Sequence, residues 1–312
     1  PRSIMPACVG YQKYGSGREG FSKKEFFVGP DVEPIKGILK INNPLNNGVV
    51  NNWDDMEKIW RYILIDELKI KPEEHNILLT ETPMDPRENR EKMGEIMFET
   101  FRVPGLFFAS ESILTLFSQG KHTGMVVDSG DGITYFDPIF YGCSLIYSVI
   151  RLNFGGRDLT EYMMKLLNDS GKIFSTDAEK EILKNIKEKS CYVALNYEEE
   201  LKNIREFKYE LPDGNNVILK EQRIKCPEAL FKPYLIGKEV NGIGQSCLDS
   251  IQKCNIDVRK DISNCIFLCG GSSMYNGLPE RFTKEVKNLA PESMKKEINV
   301  ISPPERRYSV WI

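Results

Sequence analysis

The chain has 312 residues, enough for two ordinary domains or one large two-lobed fold with substantial cores. Hydrophobic residues make up 41% and charged residues 28%, which is the balance of a globular chain and not of a disordered one. The net charge of −3 leaves no electrostatic footprint for nucleic acid or an anionic membrane, and no apolar run approaches the ~20 residues of a membrane span.

Residues 1–48 are rich in glycine and charge, with strand-like pieces at 25–28 and 37–41 and a mobile loop expected at 15–24. Asn52-Trp53-Asp54-Asp55 opens a helix in which Trp53, Met56, Ile59, Trp60, Ile63 and Leu64 recur at helical spacing. A buried strand is predicted at 77–79, and an amphipathic helix at 89–101 that ends before Pro104. A short strand at 107–109 leads into a helix around 112–118. Beyond the 125–136 region come helices at 159–167 and 176–191, then strands at 192–194 and 209–211 with a polar turn, Pro212-Asp213-Gly214. Cys226-Pro227-Glu228 reads as the start of another helix, and 263–269 as an apolar strand ending at Gly270-Gly271. The run Ser309-Val310-Trp311-Ile312 is strand-like and has no closing element. Pro1 is not an initiator Met, so the sequence is expected to be part of something longer. Alternating strands and helices argue for an α/β architecture with helices covering sheets.

The eight cysteines (Cys8, Cys143, Cys191, Cys226, Cys247, Cys254, Cys265 and Cys269) form no CxxC pair, and only His75 and His122 are available beside them. That pattern argues against a zinc site. Cys265 and Cys269 fall in an apolar run and are expected as buried free thiols, a usage that fits a reducing cytosol.

The most informative segment is M-V-V-D-S-G-D-G-I-T-Y-F at 125–136. An apolar run reaches Asp128, turns through Ser129-Gly130-Asp131-Gly132 and resumes, which is a hairpin pattern. Two glycines at the tip permit converging backbone N–H groups that suit an anion, and the two carboxylates suit a hydrated divalent cation. The same residues also make an ordinary Asp/Gly turn. A second glycine turn, Gly270-Gly271-Ser272-Ser273-Met274-Tyr275, follows an apolar strand, a shape suited to a nucleotide with Tyr275 covering a base, or equally to a strand-to-helix turn with a Ser N-cap. No Gly-Lys-Ser/Thr sequence occurs, so there is no Walker A loop, and no protein-kinase set is present.

Longer strings around both turns resemble the actin family. They include Asn52–Trp60 (N-W-D-D-M-E-K-I-W), N-R-E-K-M at 89–93, I-M-F-E-T-F at 96–101, R-D-L-T at 157–160, I-K-E-K at 186–189, Y-E-L-P-D-G at 209–214, C-P-E-A-L-F at 226–231 and P-P-E-R at 303–306. The resemblance runs in order along the whole chain and is closer to conventional actins and centractin-like proteins than to divergent nuclear relatives. It implies the two-lobed actin-like ATPase fold of the actin, heat-shock chaperone and sugar kinase superfamily, with mixed sheets flanked by helices. The first lobe is expected at 1–118, incomplete, with its subdomain 2 at about 7–43. The second is expected at 119–312, with subdomain 3 at about 119–154 and 239–308 and subdomain 4 at about 155–238. ATP or ADP with Mg2+ or Ca2+ is expected between the lobes.

Residue by residue, Asp128 resembles the aspartate that holds the cation through water and acts as general base. Ser129, Gly130, Asp131 and Gly132 resemble the rest of the second phosphate hairpin. Lys187 and Glu188 resemble the adenine and ribose contacts, and Gly270, Gly271, Ser272, Met274 and Tyr275 the adenosine-side loop. Arg307 stands where the family usually has a lysine against adenine, which keeps the charge and changes the shape.

The departures bear on function. The family's first phosphate hairpin has no counterpart and is expected before Pro1, and the closing helices of the first lobe after Ile312. Glu111 occupies the position of the water-orienting glutamine. A carboxylate there accepts a proton more strongly but repels a triphosphate. Tyr135 replaces a histidine beside the attacking water, and a phenol is neutral at pH 7. Glu111, Asp128 and Tyr135 are thus the candidate catalytic set, and hydrolysis is left open between a slow ATPase and none. The segment 14–24 replaces most of the loop that inserts into a neighbouring subunit, and Lys238 replaces an apolar residue of the hydrophobic plug. The resemblance implies a cytoplasmic, cytoskeletal protein that partners itself, actin filament subunits or actin-binding proteins, with no nucleic acid and no membrane insertion. Its rival is a non-polymerising actin-related subunit of a larger complex. A sugar kinase of the same superfamily would need a sugar-binding Asp loop that the sequence does not show.

Overall fold

The computed structural model describes residues 2–13, 24–172, 174, 177–211 and 214–312. The loop expected at 15–24 lies outside the described residues except for Lys24, as do Thr176, Pro212 and Asp213. The chain divides into two compact units, Pro1–Ala109 and Ser110–Ile312.

In the first unit β1 (Val9–Gln12), β2 (Phe26–Val28) and β3 (Leu39–Asn42) form an antiparallel sheet in the order β2-β1-β3. The helix α1 (Trp53–Arg61) starts where predicted, because the Asn52 side chain accepts from the Asp55 N–H at 3.1 Å and two acidic residues fill the first turn. Buried Asp55 is held by Asn52, Asn42, Tyr11 and Lys58, which fixes α1 to the sheet. A pair of strands, β4 (Ile77–Glu81) and β5 (Leu106–Ser110), brackets α2 (Arg87–Glu95). Both predicted helices run on past their α-helical parts as π turns, Tyr62–Glu67 and Ile96–Thr100. The apolar stripe survives this change of pitch. Trp60, Leu64, Met93, Ile96, Met97 and Phe101 share one buried cluster.

In the second unit α3 (Glu111–Phe117) leads to β6 (Gly124–Ser129), β7 (Thr134–Phe140), β8 (Cys143–Ser144) and β9 (Ile150–Leu152). Then come α4 (Gly156–Asp169), α5 (Asp177–Ser190), the hairpin β10 (Phe207–Glu210) and β11 (Asn216–Leu219), and α6 (Gln222–Glu228). The unit continues through α7 (Ile243–Lys253), α8 (Ile256–Ser263), β12 (Ile266–Cys269), α9 (Leu278–Leu289) and β13 (Val300–Ile301). One mixed sheet runs β8-β7-β6-β12-β13, with β9 also on β7. The β6–β7 pair is antiparallel, and β12 is parallel to both β6 and β13.

Every residue of β6 and β12 is buried, because both sheet faces are covered. Met125, Val127, Phe136, Ile266 and Leu268 point into a large cluster with α4, α5, α7 and α9. Val126, Tyr135, Ile139, Phe267 and Cys269 point into a smaller one with Leu116 of α3. This is the helix-covered mixed α/β architecture that the sequence predicts. No helix among the described residues is long and apolar enough to cross a membrane.

Four local expectations are corrected. Cys226-Pro227-Glu228 ends α6 and does not start it; Gln222, Ile224 and Cys226 are buried and draw the helix upstream, and Pro227 sits in the last turn. Residues 192–194 form no strand, only an isolated bridge from Tyr192 to Asn276. Residues 309–312 turn back on Tyr308, which accepts from the Trp311 and Ile312 N–H groups. Of the two thiols expected to be buried, Cys269 is buried and Cys265 is only partly so.

Candidate functional site

The hairpin forms with Asp128 opposite Tyr135 and Ser129 opposite Thr134. The Gly130 N–H donates to the Ile133 carbonyl at 2.9 Å and closes the turn. Thr134 Oγ1 donates to the Phe154 carbonyl at 3.1 Å, and Ser129 Oγ lies 3.1 Å from Thr134 Oγ1. At the tip, the Asp131 and Gly132 N–H groups donate to no backbone carbonyl among the described residues. They are the donors an anion would meet.

The Gly270-Gly271 turn packs directly on this hairpin. Parallel pairing sets Cys269 beside Asp128. Gly270 has φ +85°, and a Cβ there would lie 2.4 Å from the Ser129 carbonyl oxygen and 2.6 Å from Asp128 Oδ1. Only glycine satisfies both the conformation and the approach. Ser272 Oγ donates to the Gly130 carbonyl at 2.9 Å. A Cβ on Gly271 would meet nothing within 4 Å, so the chain there is open.

A third glycine turn, absent from the sequence reading, completes the cluster. The Gly156 N–H donates to the Gly130 carbonyl at 3.0 Å and the Arg157 N–H to the Asp131 carbonyl at 2.8 Å. A Cβ on Gly155 would fall 2.7 Å from both the Gly130 and Asp131 carbonyl oxygens. Lys187 on α5 is buried, and its Nζ donates to the Gly156 carbonyl at 2.6 Å. Burial lowers the Lys187 pKa, while Cys226, Asp131 and Glu188 act in the opposite direction. Arg157 reaches Asp131 Oδ2 at 3.5 Å, an exposed ion pair that adds little.

Beneath the turns, three in-register residues share the α3 face of the sheet: Tyr135, Asp128 and Cys269. Burial raises the Asp128 pKa, and hydrogen bonds from Cys269 and Tyr135 oppose the rise. The Tyr135 hydroxyl donates to Glu111 Oε2 over a long 3.5 Å. Its pKa is pushed well above the ordinary phenol value, first by burial and then by the Asp128 and Glu111 carboxylates. Tyr135 is therefore a fixed neutral donor between two acids. It stays protonated near neutral pH.

A family model described as Actin matches residues 1–312. This chain belongs to the actin family.

Among the residues predicted from the actin resemblance, the structure brings Asp128, Ser129, Gly130 and Asp131 together with Gly270, Ser272 and Lys187. Gly132 lies at the tip between the hairpin strands. Glu188, Gly271, Met274 and Arg307 are exposed, and the Arg307 guanidinium lies over the Tyr308 ring. Tyr275 is buried in the large core cluster. Besides Gly155 and Gly156, the sequence reading missed the role of Arg306. Its carbonyl accepts from the Gly270 N–H at 3.2 Å and its guanidinium donates to the Ser273 carbonyl at 2.9 Å. A Gly-Gly pair just before a helix was the available signal for Gly155-Gly156; Arg306 had none.

The donor set fits the nucleotide and cation that the actin-family fold generally binds. Among the described residues the tip N–H groups donate to no backbone carbonyl, Lys187 has a buried ammonium, which carries three donors, and Asp128 has a buried carboxylate. No cluster of three or more His, Cys, Asp or Glu side chains able to cage a metal occurs among the described residues. A single carboxylate acting through water needs no such cage.

Proposed function

We propose that this protein is an actin-like cytoskeletal subunit of the cytoplasm. It binds ATP or ADP with Mg2+ or Ca2+ at the Asp128–Gly132 turn, and it assembles into or onto filaments with slow hydrolysis. The observation that carries the reading is the convergence of three glycine turns on one carbonyl. Gly130 accepts from both Gly156 and Ser272, and side chains are excluded at Gly155 and Gly270. This packing fixes the hairpin whose tip presents the Asp131 and Gly132 N–H groups, and backbone donors held in place in this way suit a polyphosphate.

Each residue then has a part. The Asp131 and Gly132 N–H groups and the Lys187 ammonium bind phosphate charge. Asp128 orients water on the cation. Ser272 and Arg306 hold the second turn in shape. Glu111 faces the proton of an attacking water, and Tyr135 holds the Glu111 carboxylate by a neutral hydrogen bond. When bound, the cation neutralises phosphate charge. The lobes are proposed at 1–118 and 119–312; the compact units divide instead between Ala109 and Ser110, with α3 in the second. Calorimetric titration of ATP in the presence and absence of Mg2+ tests the binding reading; cation-independent or absent binding ends it.

One observation favours the non-polymerising alternative. Lys238 in the plug segment is drawn back onto its own unit, 3.4 Å from Asp158 Oδ1 and 3.4 Å from the Asn153 carbonyl. A plug tied down this way is less available to a neighbour. Pelleting with magnesium and ATP separates the readings. Sedimenting polymer supports the filament subunit, and a monodisperse supernatant at high concentration supports the subunit of a larger complex.

A further inference from the structure

Asp137 has no part in the nucleotide site. It lies on β7 two residues beyond Tyr135 and two before Ile139, so it shares their face beneath α3. Its partner across β6 is Val126, and Val126 lies beside Phe267 on β12, so its row of the sheet is otherwise apolar. The side chain is fully buried. Ser144 Oγ on β8 donates to Oδ1 at 2.6 Å. Oδ2 has no hydrogen-bond partner among the described residues, and neither has Ser112 Oγ, which is fully buried in the first turn of α3. The Ser112 hydroxyl is nonetheless near enough to act on both the Asp137 carboxyl and the Tyr135 phenol.

An ionised carboxylate with one bare oxygen in such a place needs a counter-charge. No basic side chain acts on Asp137. A proton on Oδ2 removes the charge and turns a bare acceptor into a donor, with the Ser112 hydroxyl near enough to the carboxyl to act on it. Ser112 directly follows Glu111 in the chain. The acid thus stands between the helix head that carries Glu111 and the strand that follows the exposed turn at Tyr141-Gly142.

We propose that Asp137, as a neutral carboxylic acid, is a positioning residue that ties the first turn of α3, and with it Glu111, to the β7–β8 turn through Ser112 and Ser144. The linkage rests on the Ser144 hydrogen bond, the two unpaired buried oxygens beneath α3 and the nearness of the Ser112 hydroxyl to the carboxyl; its consequence for a bound nucleotide rests on the reading given under Proposed function.

The test is hydrogen exchange by mass spectrometry on the whole chain, following the segments 111–117 and 141–148 in wild type, Asp137→Asn, Asp137→Val and Ser144→Ala. Asn keeps a neutral donor and an acceptor, so both segments should exchange as in wild type. Val is of similar size and keeps neither, so exchange should rise in both segments together, by about fivefold, the equilibrium equivalent of one net hydrogen bond. Ser144→Ala removes only the outer bond, keeps the core acid, and should also loosen 111–117. Unchanged exchange at 111–117 in both Asp137→Val and Ser144→Ala would overturn the proposal. So would Asp137→Asn behaving like Asp137→Val, since the ionised form would then be the working one. ATP titration of the wild type is run alongside. Coupled exchange without ATP binding would sink the nucleotide reading and keep the linkage, and ATP binding with uncoupled exchange would do the reverse.

Discussion

Cys269 donates its thiol to Asp128, with 3.1 Å between Sγ and Oδ2 on adjacent parallel strands. The thiol is fully buried, and burial together with the Asp128 charge keeps its pKa well above the ordinary range. The aspartate that would orient water on a cation is therefore steadied from behind by a neutral, soft donor. Removing the thiol leaves Asp128 Oδ2 short of a partner inside the core. Cys269→Ala should destabilise the protein by about 1–3 kcal/mol in urea unfolding, and Cys269→Ser, which restores a donor, should recover most of it. Equal losses in the two variants would mean that packing and not the hydrogen bond is what matters.

The carboxylate itself is expected to carry the cation dependence of nucleotide binding. Asp128→Ala should weaken Mg2+-dependent ATP affinity by about 1–3 kcal/mol, the scale of a charge-assisted contact. Calorimetry that returns the wild-type affinity refutes this.

Gly270 combines φ +85° with an approach to the hairpin backbone closer than any Cβ tolerates. Gly270→Ala should cost at least about 2 kcal/mol of stability, because left-handed strain adds to a backbone clash. Chemical denaturation with an unchanged midpoint would show that the turn yields more easily than its geometry implies.

Stability should also fall as pH rises, and Asp137 should be one cause. Burial raises its folded pKa, and only the Ser144 and Ser112 hydroxyls act against it. The folded state therefore holds this proton more tightly than the unfolded one. The contribution is fully present below the unfolded value of about 3.9 and is lost as pH climbs through the raised folded value. Asp137→Asn removes this slope, so the variant should gain on wild type as pH increases toward 7. Urea midpoints measured at pH 4 to 8 read the difference; parallel curves would contradict the assignment.

Glu111 and Tyr135 should limit hydrolysis if the rest of the frame is actin-like. Replacing both, Glu111→Gln with Tyr135→His, should raise phosphate release in the assembled state. A rate equal to or below wild type would establish Glu111 as an effective base in its own right.

Much of this was legible in the chain. The D-S-G-D-G hairpin is a local pattern, two apolar runs about a turn, and the structure places it with Asp128 opposite Tyr135. The helix from Trp53 could be read from its cap and stripe, although no period-based rule foretold the π turns that extend it. What the sequence hid was lateral. Cys269 and Asp137 look like ordinary members of apolar strands until strand register sets one beside Asp128 and the other in an apolar row beneath α3. Gly155 and Gly156 gained meaning only from the carbonyls they face. Proline misled at Cys226-Pro227, where burial of Ile224 and Cys226 outweighed a helix-start signal.

Gly130 takes its second hydrogen bond from a residue 142 positions further along the chain, Ser272. On a ribosome adding about 5–20 residues per second, the hairpin waits roughly 7–30 s for that partner to emerge. Until then the hairpin lacks the strand that pairs with its Asp128 side, and β6 is an open edge. Such an edge is a template for mispairing with other nascent chains. The feature that assembles the site in the finished protein thus makes its synthesis a period of exposure, and production of this protein should depend on whatever shields that edge while residues 130–269 are made.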